Sequence, residues 1–273
     1  GHNGGDGFVW VFQQTGDTWQ WIQSLTPSGT DSAFGRSVAM ARTGTNTYWV
    51  VGAPGQVSNQ LESGKAYLYS WTDSNGYGTH LTTLSESGFI SGYSTFGVSI
   101  DIATRSNGNV AVAVGNDWFH DSGAKGCVDM MVAYLHPGCG CWVSVLEQRL
   151  IPFNDVSSSI EGGYAGSNLE LDDDALIIGI PYTTDDDYRQ GSAAVYRGVD
   201  ASGSGQYNWT LEGHLFGPDG GNDAFAGWDV AIDDMAGLAV LGSPGDDYTG
   251  DNAGAAYVYR KSGSNWVYAS TLV

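Results

Sequence analysis

Phe34-Gly35-Arg36-Ser37-Val38-Ala39-Met40, then Trp49-Val50-Val51-Gly52-Ala53-Pro54, then Gly64-Lys65-Ala66-Tyr67-Leu68-Tyr69 are the three runs that decide the fold. Each has strand length, and clusters of Gly, Thr, Asn and Ser separate them, the pattern of short antiparallel strands joined by turns. The succession returns three more times. Phe96-Gly97-Val98-Ser99-Ile100 leads to Val112-Ala113-Val114-Gly115 and to the run from Val128 to Tyr134. Ala165-Gly166-Ser167-Asn168-Leu169 leads to Ile177-Ile178-Gly179-Ile180-Pro181 and Ala193-Ala194-Val195-Tyr196. Ala226-Gly227-Trp228-Asp229-Val230 leads to Val240-Leu241-Gly242-Ser243-Pro244 and Gly254-Ala255-Ala256-Tyr257-Val258-Tyr259. The middle glycines, Gly52, Gly115, Gly179 and Gly242, step by 63, 64 and 63 residues. A fixed period of this length means one supersecondary unit stacked on copies of itself.

A fourth run follows each third one: up to Leu84, Trp142 to Leu150, Trp209 to Leu215, and Trp266 to Leu272. The chain opens out of phase, because Gly7-Phe8-Val9-Trp10-Val11-Phe12 matches a third strand and Trp19 to Leu25 a fourth. Small residues such as Ser37, Ala39 and Ser99 in the first strand suit a crowded axis. Trp and Tyr in the outer strands suit a widening wedge, since they bring large apolar area with a polar tip. Second strands such as Leu176-Ile177-Ile178 are apolar throughout, as expected of a sheet covered on both faces.

In their order, Phe-Gly, Gly-Ala-Pro and Gly-x-Ala-Tyr-x-Tyr resemble the FG-GAP repeat of integrin α subunits and other extracellular propellers. The second copy departs from it with Gly115-Asn116-Asp117, and the third and fourth have Ala-Gly for Phe-Gly. The resemblance implies an all-β fold, a β-propeller of four-stranded antiparallel blades. The reading is a single domain over 1–273, with a half blade at 7–25 and blades at 34–84, 96–150, 164–215 and 225–272. Closure of such a ring needs the first and second strands that the half blade lacks. The expectation is that a longer chain or a neighbouring subunit supplies them.

The formal charge is −20, with 10 Lys plus Arg against 30 Asp plus Glu. That balance excludes nucleic acid, which needs clustered cations, and disfavours an anionic membrane surface. It makes divalent cations plausible partners. No apolar run has membrane-spanning length, and the chain opens without Met or a signal segment, which reads as a removed leader or an excerpt.

Cys127, Cys139 and Cys141 all fall in the second repeat. A disulfide of Cys127 with Cys139 or Cys141 suits an oxidising compartment, and a zinc site of the three thiolates with His136 is the rival. The Asp-x-Asp-x-Asp-Gly calcium loop known from integrin blades is missing between first and second strands, where Asp172-Asp173-Asp174 and Asp233-Asp234 are too tightly spaced. The calcium candidates are instead Asp185, Asp186 and Asp187 in one second-to-third loop and Asp246, Asp247 and Asp251 in another. Solvated turn carboxylates are the competing reading. No nucleophile elbow, metalloprotease helix or His cluster marks a catalytic centre, and no cofactor is called for. Trp19, Trp21, Trp142, Trp209 and Trp266 either pack blade on blade or stack sugars. Asn208-Trp209-Thr210 is a glycosylation sequon at the rim.

Resemblance and composition together imply an extracellular, non-enzymatic propeller. It would serve as an interaction or structural module of a cell-surface adhesin or filament, with other proteins or copies of itself as partners. A glycan-binding propeller is the alternative, and an enzyme domain a third.

Overall fold

The computed structural model describes residues 7–27, 33–55, 64–72, 76–86, 94–121, 124–152, 164–184, 189–218 and 221–273. Among them every regular element is a strand. The half blade pairs β1 (Val9–Thr15) with β2 (Thr18–Leu25). The first blade holds β3 (Ser37–Thr43), β4 (Asn46–Ala53), β5 (Lys65–Thr72) and β6 (Thr79–Ser85). The second holds β7 (Ile100–Thr104), β8 (Val110–Asp121), β9 (Ala124–Leu135) and β10 (Trp142–Leu150). β11 (Leu169–Asp172), β12 (Ala175–Ile180), β13 (Ser192–Val199) and β14 (Asn208–Phe216) form the third. The fourth comprises β15 (Asp229–Asp233), β16 (Leu238–Ser243), β17 (Ala255–Ser262) and β18 (Asn265–Leu272). All four are antiparallel meanders in chain order, as propeller blades are, and no strand pairing closes the ring among the described residues.

The Phe-Gly and Ala-Gly dipeptides lie in the turn before the first strand, not in the strand itself. Gly35, Gly97, Gly166 and Gly227 have φ of 86°, 94°, 84° and 82°, a left-handed backbone that glycine adopts without strain. The glycine of the second strand is required for another reason. A Cβ on Gly52, Gly115 or Gly179 would stand 2.1, 2.1 or 2.2 Å from the carbonyl oxygen of Gly97, Gly166 or Gly227 in the next blade. The inner joint is close backbone contact. Ser37 Oγ donates to Gly97 O at 2.8 Å and Ser99 Oγ to Gly166 O at 2.7 Å, which ties it further.

Between blades lie apolar layers. Val50, Ala66, Leu68 and Leu84 of the first blade bury against Ile100, Ile102, Val112 and Met131 of the second. The same alternation gives the second-to-third and third-to-fourth layers. In β12 every residue is buried, whereas β16 alternates, because its far face has no described neighbour. The outer joints are polar. Trp209 Nε1 donates to Glu147 at 3.1 Å and Trp266 Nε1 to Glu212 at 3.3 Å, so a fourth-strand Glu twice receives the next blade's indole.

Candidate interaction face at the axial mouth

Three turn positions recur at the inner end of each blade, and their side chains surround a recess of about 910 Å³. The residue after the turn glycine supplies Arg36, Val98, Ser167 and Trp228. The residue after the Gly-Ala-Pro triplet or its equivalent supplies Trp118 and Tyr182. The residue two before the turn glycine supplies Tyr164, while Phe225 packs directly behind the wall. Tyr164 and Phe225 have φ of 59° and 56°, left-handed values that are costly for aromatic residues. Strain of that kind persists only where surrounding structure holds it.

The rings form a continuous arc across three blades. Centroids are 6.1 Å apart for Trp118 and Tyr164, 5.1 Å for Tyr164 and Tyr182, and 5.4 Å for Tyr182 and Phe225. Trp228 closes the arc at 6.2 Å from Tyr182 and 6.0 Å from Phe225. Arg189 lies 5.8 Å from the Tyr182 ring and 3.5 Å from Asp223. On the far wall Asp117 accepts the Thr95 hydroxyl at 2.5 Å. Burial lifts its carboxyl above the ordinary range, with the Thr95 bond and the Arg36 charge working the other way.

The residues singled out in the sequence lie elsewhere. Asp185, Asp186 and Asp187 fall outside the described residues. Asp246 is buried and accepts the Tyr257 hydroxyl and the Tyr248 N–H, the latter at 2.9 Å. Asp247 accepts the Asn252 N–H at 2.6 Å, and Asp251 accepts the Asn252 amide at 3.3 Å, so these carboxylates close their own loop. Among the described residues no group of three His, Cys, Asp or Glu is placed to hold a metal ion. Asn208 is exposed at the start of β14. Trp209 is buried, Trp142 and Trp266 are half-buried against neighbouring blades, and Trp19 and Trp21 are exposed on the half blade.

The cysteine pairing differs from expectation. Cys139 bonds Cys141, and Cys127 is a free buried thiol whose pKa is pushed far up by burial. The reason is distance along the sheet. Cys127 lies near the start of β9, and the turn bearing the other two follows its end at Leu135, about 26 Å away at about 3.3 Å per residue. A disulfide needs Cα atoms within about 7 Å. His136 Nδ1 is 3.7 Å from Cys139 Sγ, so the zinc alternative loses Cys127 for the same reason.

One nucleophile and base do meet. Ser192 Oγ is 3.1 Å from His214 Nε2 and 2.8 Å from Thr183 Oγ1. Ser192 and Thr183 are wholly buried, and burial lowers the His214 pKa to about 4, so the pair is a neutral internal bond closed to substrate.

The FG-GAP repeat family matches residues 19–69 and 209–259. Two stretches of the chain carry the FG-GAP repeat. Each matched stretch runs from the fourth strand of one sheet through the third strand of the next, β2 to β5 and β14 to β17, so the FG-GAP unit contains the joint between blades. No curated protein matches the chain. FG-GAP repeats are typical of extracellular and cell-surface proteins, and among the described residues no helix is long and apolar enough to cross a membrane. Sequence reading singled out for binding none of the residues that line the mouth. Its signal was available at the positions where the four repeats differ.

Proposed function

We propose that this protein is an extracellular, non-enzymatic protein-interaction module whose binding face is the axial mouth. One observation carries the reading: Arg36, Trp118, Tyr164, Tyr182, Arg189 and Trp228 converge on a single concave recess. Trp, Tyr and Arg are the residue types that dominate binding energy at protein interfaces, since they bury large area at low entropic cost. Two of the chain's 10 cationic side chains, Arg36 and Arg189, stand there, with Asp117 a carboxylate in the same lining. A protein segment carrying a carboxylate and an apolar side chain fits that lining. The Cys139–Cys141 disulfide at the surface suits an oxidising compartment.

The test is selection of a displayed random-peptide library on the immobilised chain, followed by counter-screening on Trp228→Ala and Arg36→Glu. Enriched acidic peptides are expected to lose at least tenfold in affinity on either variant. Peptides that bind both variants as tightly as the parent place the interface elsewhere and refute the reading. The exposed rings also suit the apolar faces of sugars. Binding confined to a glycan array, and lost on Trp228→Ala, replaces the protein partner with a glycan.

A further inference from the structure

In the second blade β9 and β10 are joined by His136-Pro137-Gly138-Cys139-Gly140-Cys141, and this turn closes on its own backbone. His136 N–H donates to Cys141 O at 2.8 Å and Gly140 N–H to His136 O at 2.9 Å, just beyond the ladder pair of Leu135 and Trp142. The Cys139–Cys141 disulfide spans a single residue inside that turn. A disulfide stabilises through the loop it closes, and here the ladder has already closed it. A structural staple is therefore a poor account of the bond. Its setting suits reaction instead. All six residues of the turn are exposed, so the bond stands in solvent. The two sulfurs also differ. Cys139 Sγ receives the Cys141 N–H at 3.3 Å and lies 3.7 Å from His136 Nδ1, and among the described residues Cys141 Sγ has no such contacts. His136 Nδ1 accepts the Gly138 N–H at 3.2 Å, so it is the unprotonated nitrogen of a neutral ring, free to take a proton beside Cys139.

We propose that this turn is a thiol–disulfide exchange site whose substrate is a dithiol. A thiolate of the dithiol attacks Cys141 Sγ and forms a mixed disulfide with it. The Cys139–Cys141 bond breaks, and its electron pair leaves on Cys139 Sγ, where the Cys141 N–H receives the charge. His136 carries to Cys139 the proton that the dithiol gave up. The second thiolate of the dithiol then attacks its own sulfur in the mixed disulfide, and Cys141 leaves and takes the second proton from solvent. The dithiol is thereby oxidised by two electrons to a disulfide, and Cys139 and Cys141 are reduced to thiols. A better stabilised thiolate leaves faster, which is why the asymmetry of the turn selects Cys139 as the leaving sulfur. Each chain oxidises one dithiol, and a low-molecular-weight disulfide restores the bond by the reverse steps. The turn joins a third strand to a fourth, so the meander places it at the end of the blade opposite the mouth. Its success or failure leaves the function proposed there untouched.

The probe is dithiothreitol added to the full 273-residue chain. Alkylation of the native protein followed by peptide mass spectrometry reads Cys139 and Cys141 separately from Cys127, which is buried. At pH 7 the bond is expected to be reduced roughly tenfold or more faster than glutathione disulfide is by the same reagent, with no change in the thermal midpoint of the chain. Cys139→Ser and Cys141→Ser each leave one exposed thiol. Iodoacetamide is expected to alkylate Cys139 in the second variant roughly fivefold or more faster at pH 7 than Cys141 in the first. Adding His136→Gln to the Cys141→Ser chain is expected to slow Cys139 at pH 7 and not at pH 9, where a thiol ionises unaided. Reduction no faster than that of glutathione disulfide overturns the proposal. So does a thermal midpoint that falls on reduction, because the bond is then a staple. Equal alkylation of the two thiols at pH 7 overturns the choice of Cys139 as leaving sulfur, and a His136→Gln effect of one size at both pH values overturns the assignment of the proton to His136.

Discussion

Glu147 is the residue on which the joint between the second and third blades turns. Its carboxylate receives both guanidinium nitrogens of Arg105 at 2.7 Å, the Tyr207 N–H at 2.5 Å and the Trp209 indole at 3.1 Å. Arg105 also donates to Gly205 O at 2.6 Å and lies 3.8 Å from the Tyr207 ring. Both charged side chains are almost wholly enclosed. Glu147→Gln leaves the guanidinium charged with no anion, and removing one member of a buried pair costs about 3–5 kcal/mol. Arg105→Met strands the carboxylate and costs a similar amount. In the double variant no charge remains, and the Gln oxygen still accepts from Tyr207. Its cost should fall to about 1–2 kcal/mol, the range for imperfectly paired neutral groups. The double variant is therefore expected to be more stable than either single one. Urea unfolding followed by tryptophan fluorescence measures all four proteins, and domains of this kind have only about 5–15 kcal/mol in total. Single-variant losses under about 1 kcal/mol, or a double-variant loss equal to their sum, would refute the argument that the pair acts as a compensated unit.

Two further outcomes follow from burial. His214 has a folded-state pKa of about 4 against an ordinary 6.5, so the unfolded chain binds a proton between those values and the folded one does not. Its contribution is complete above about pH 6.5 and is lost as the pH falls toward 4, by up to about 3 kcal/mol. The difference in unfolding free energy between the parent and His214→Phe should shift by that amount between pH 7 and 4, and identical pH profiles would dismiss the assignment. Leu84 and Leu272 hold the same place in the repeat, but Leu84 is wholly buried under the second blade and Leu272 is exposed. Leu84→Ala should cost about 2–5 kcal/mol and Leu272→Ala under about 0.5, so equal costs in urea melts would show the fourth blade's far face to be covered.

The architecture was readable because each repeated residue answers to a constraint that every blade shares. Gly52, Gly115 and Gly179 recur because each faces a backbone carbonyl about 2 Å from where a Cβ would be, and the sequence displays that need three times over. Tyr69, Tyr196 and Tyr259 recur because each fills the same buried place in the third strand of its blade. The cysteines had no such redundancy. Their pairing depended on β9 running unbroken from Cys127 to Leu135, which puts Cys127 at one end of the strand and the turn carrying Cys139 and Cys141 beyond the other. The carboxylates of the second-to-third loops misled for a related reason. Asp246 reads as one acidic residue among several, yet it is buried beneath Tyr257, a contact set by the strand that follows.

The binding face follows a converse rule. A repeat fold carries equivalent positions to equivalent radii, so conserved architecture and variable chemistry separate cleanly along the chain. After the turn glycine stand Arg36, Val98, Ser167 and Trp228, and two places before it stand Ala33, Thr95, Tyr164 and Phe225. After the second-strand triplets stand Gly55, Trp118, Tyr182 and Gly245. Gly245 is held by a close approach, a Cβ there standing 2.0 Å from Asp223 O, and the other members of these sets differ from blade to blade. The fold gathers three of their positions around one mouth, and their differences make it asymmetric, aromatic toward the second, third and fourth blades with Arg36 on the first. A structural role would favour the same small residue at each of these places. Three blades hold the position two before the turn glycine at left-handed φ, Ala33 at 62°, Tyr164 at 59° and Phe225 at 56°, so the turn sets the backbone and the aromatic side chain is what the third and fourth blades add. On the function proposed for the mouth, the variation among repeats is the part of this sequence that would encode its selectivity.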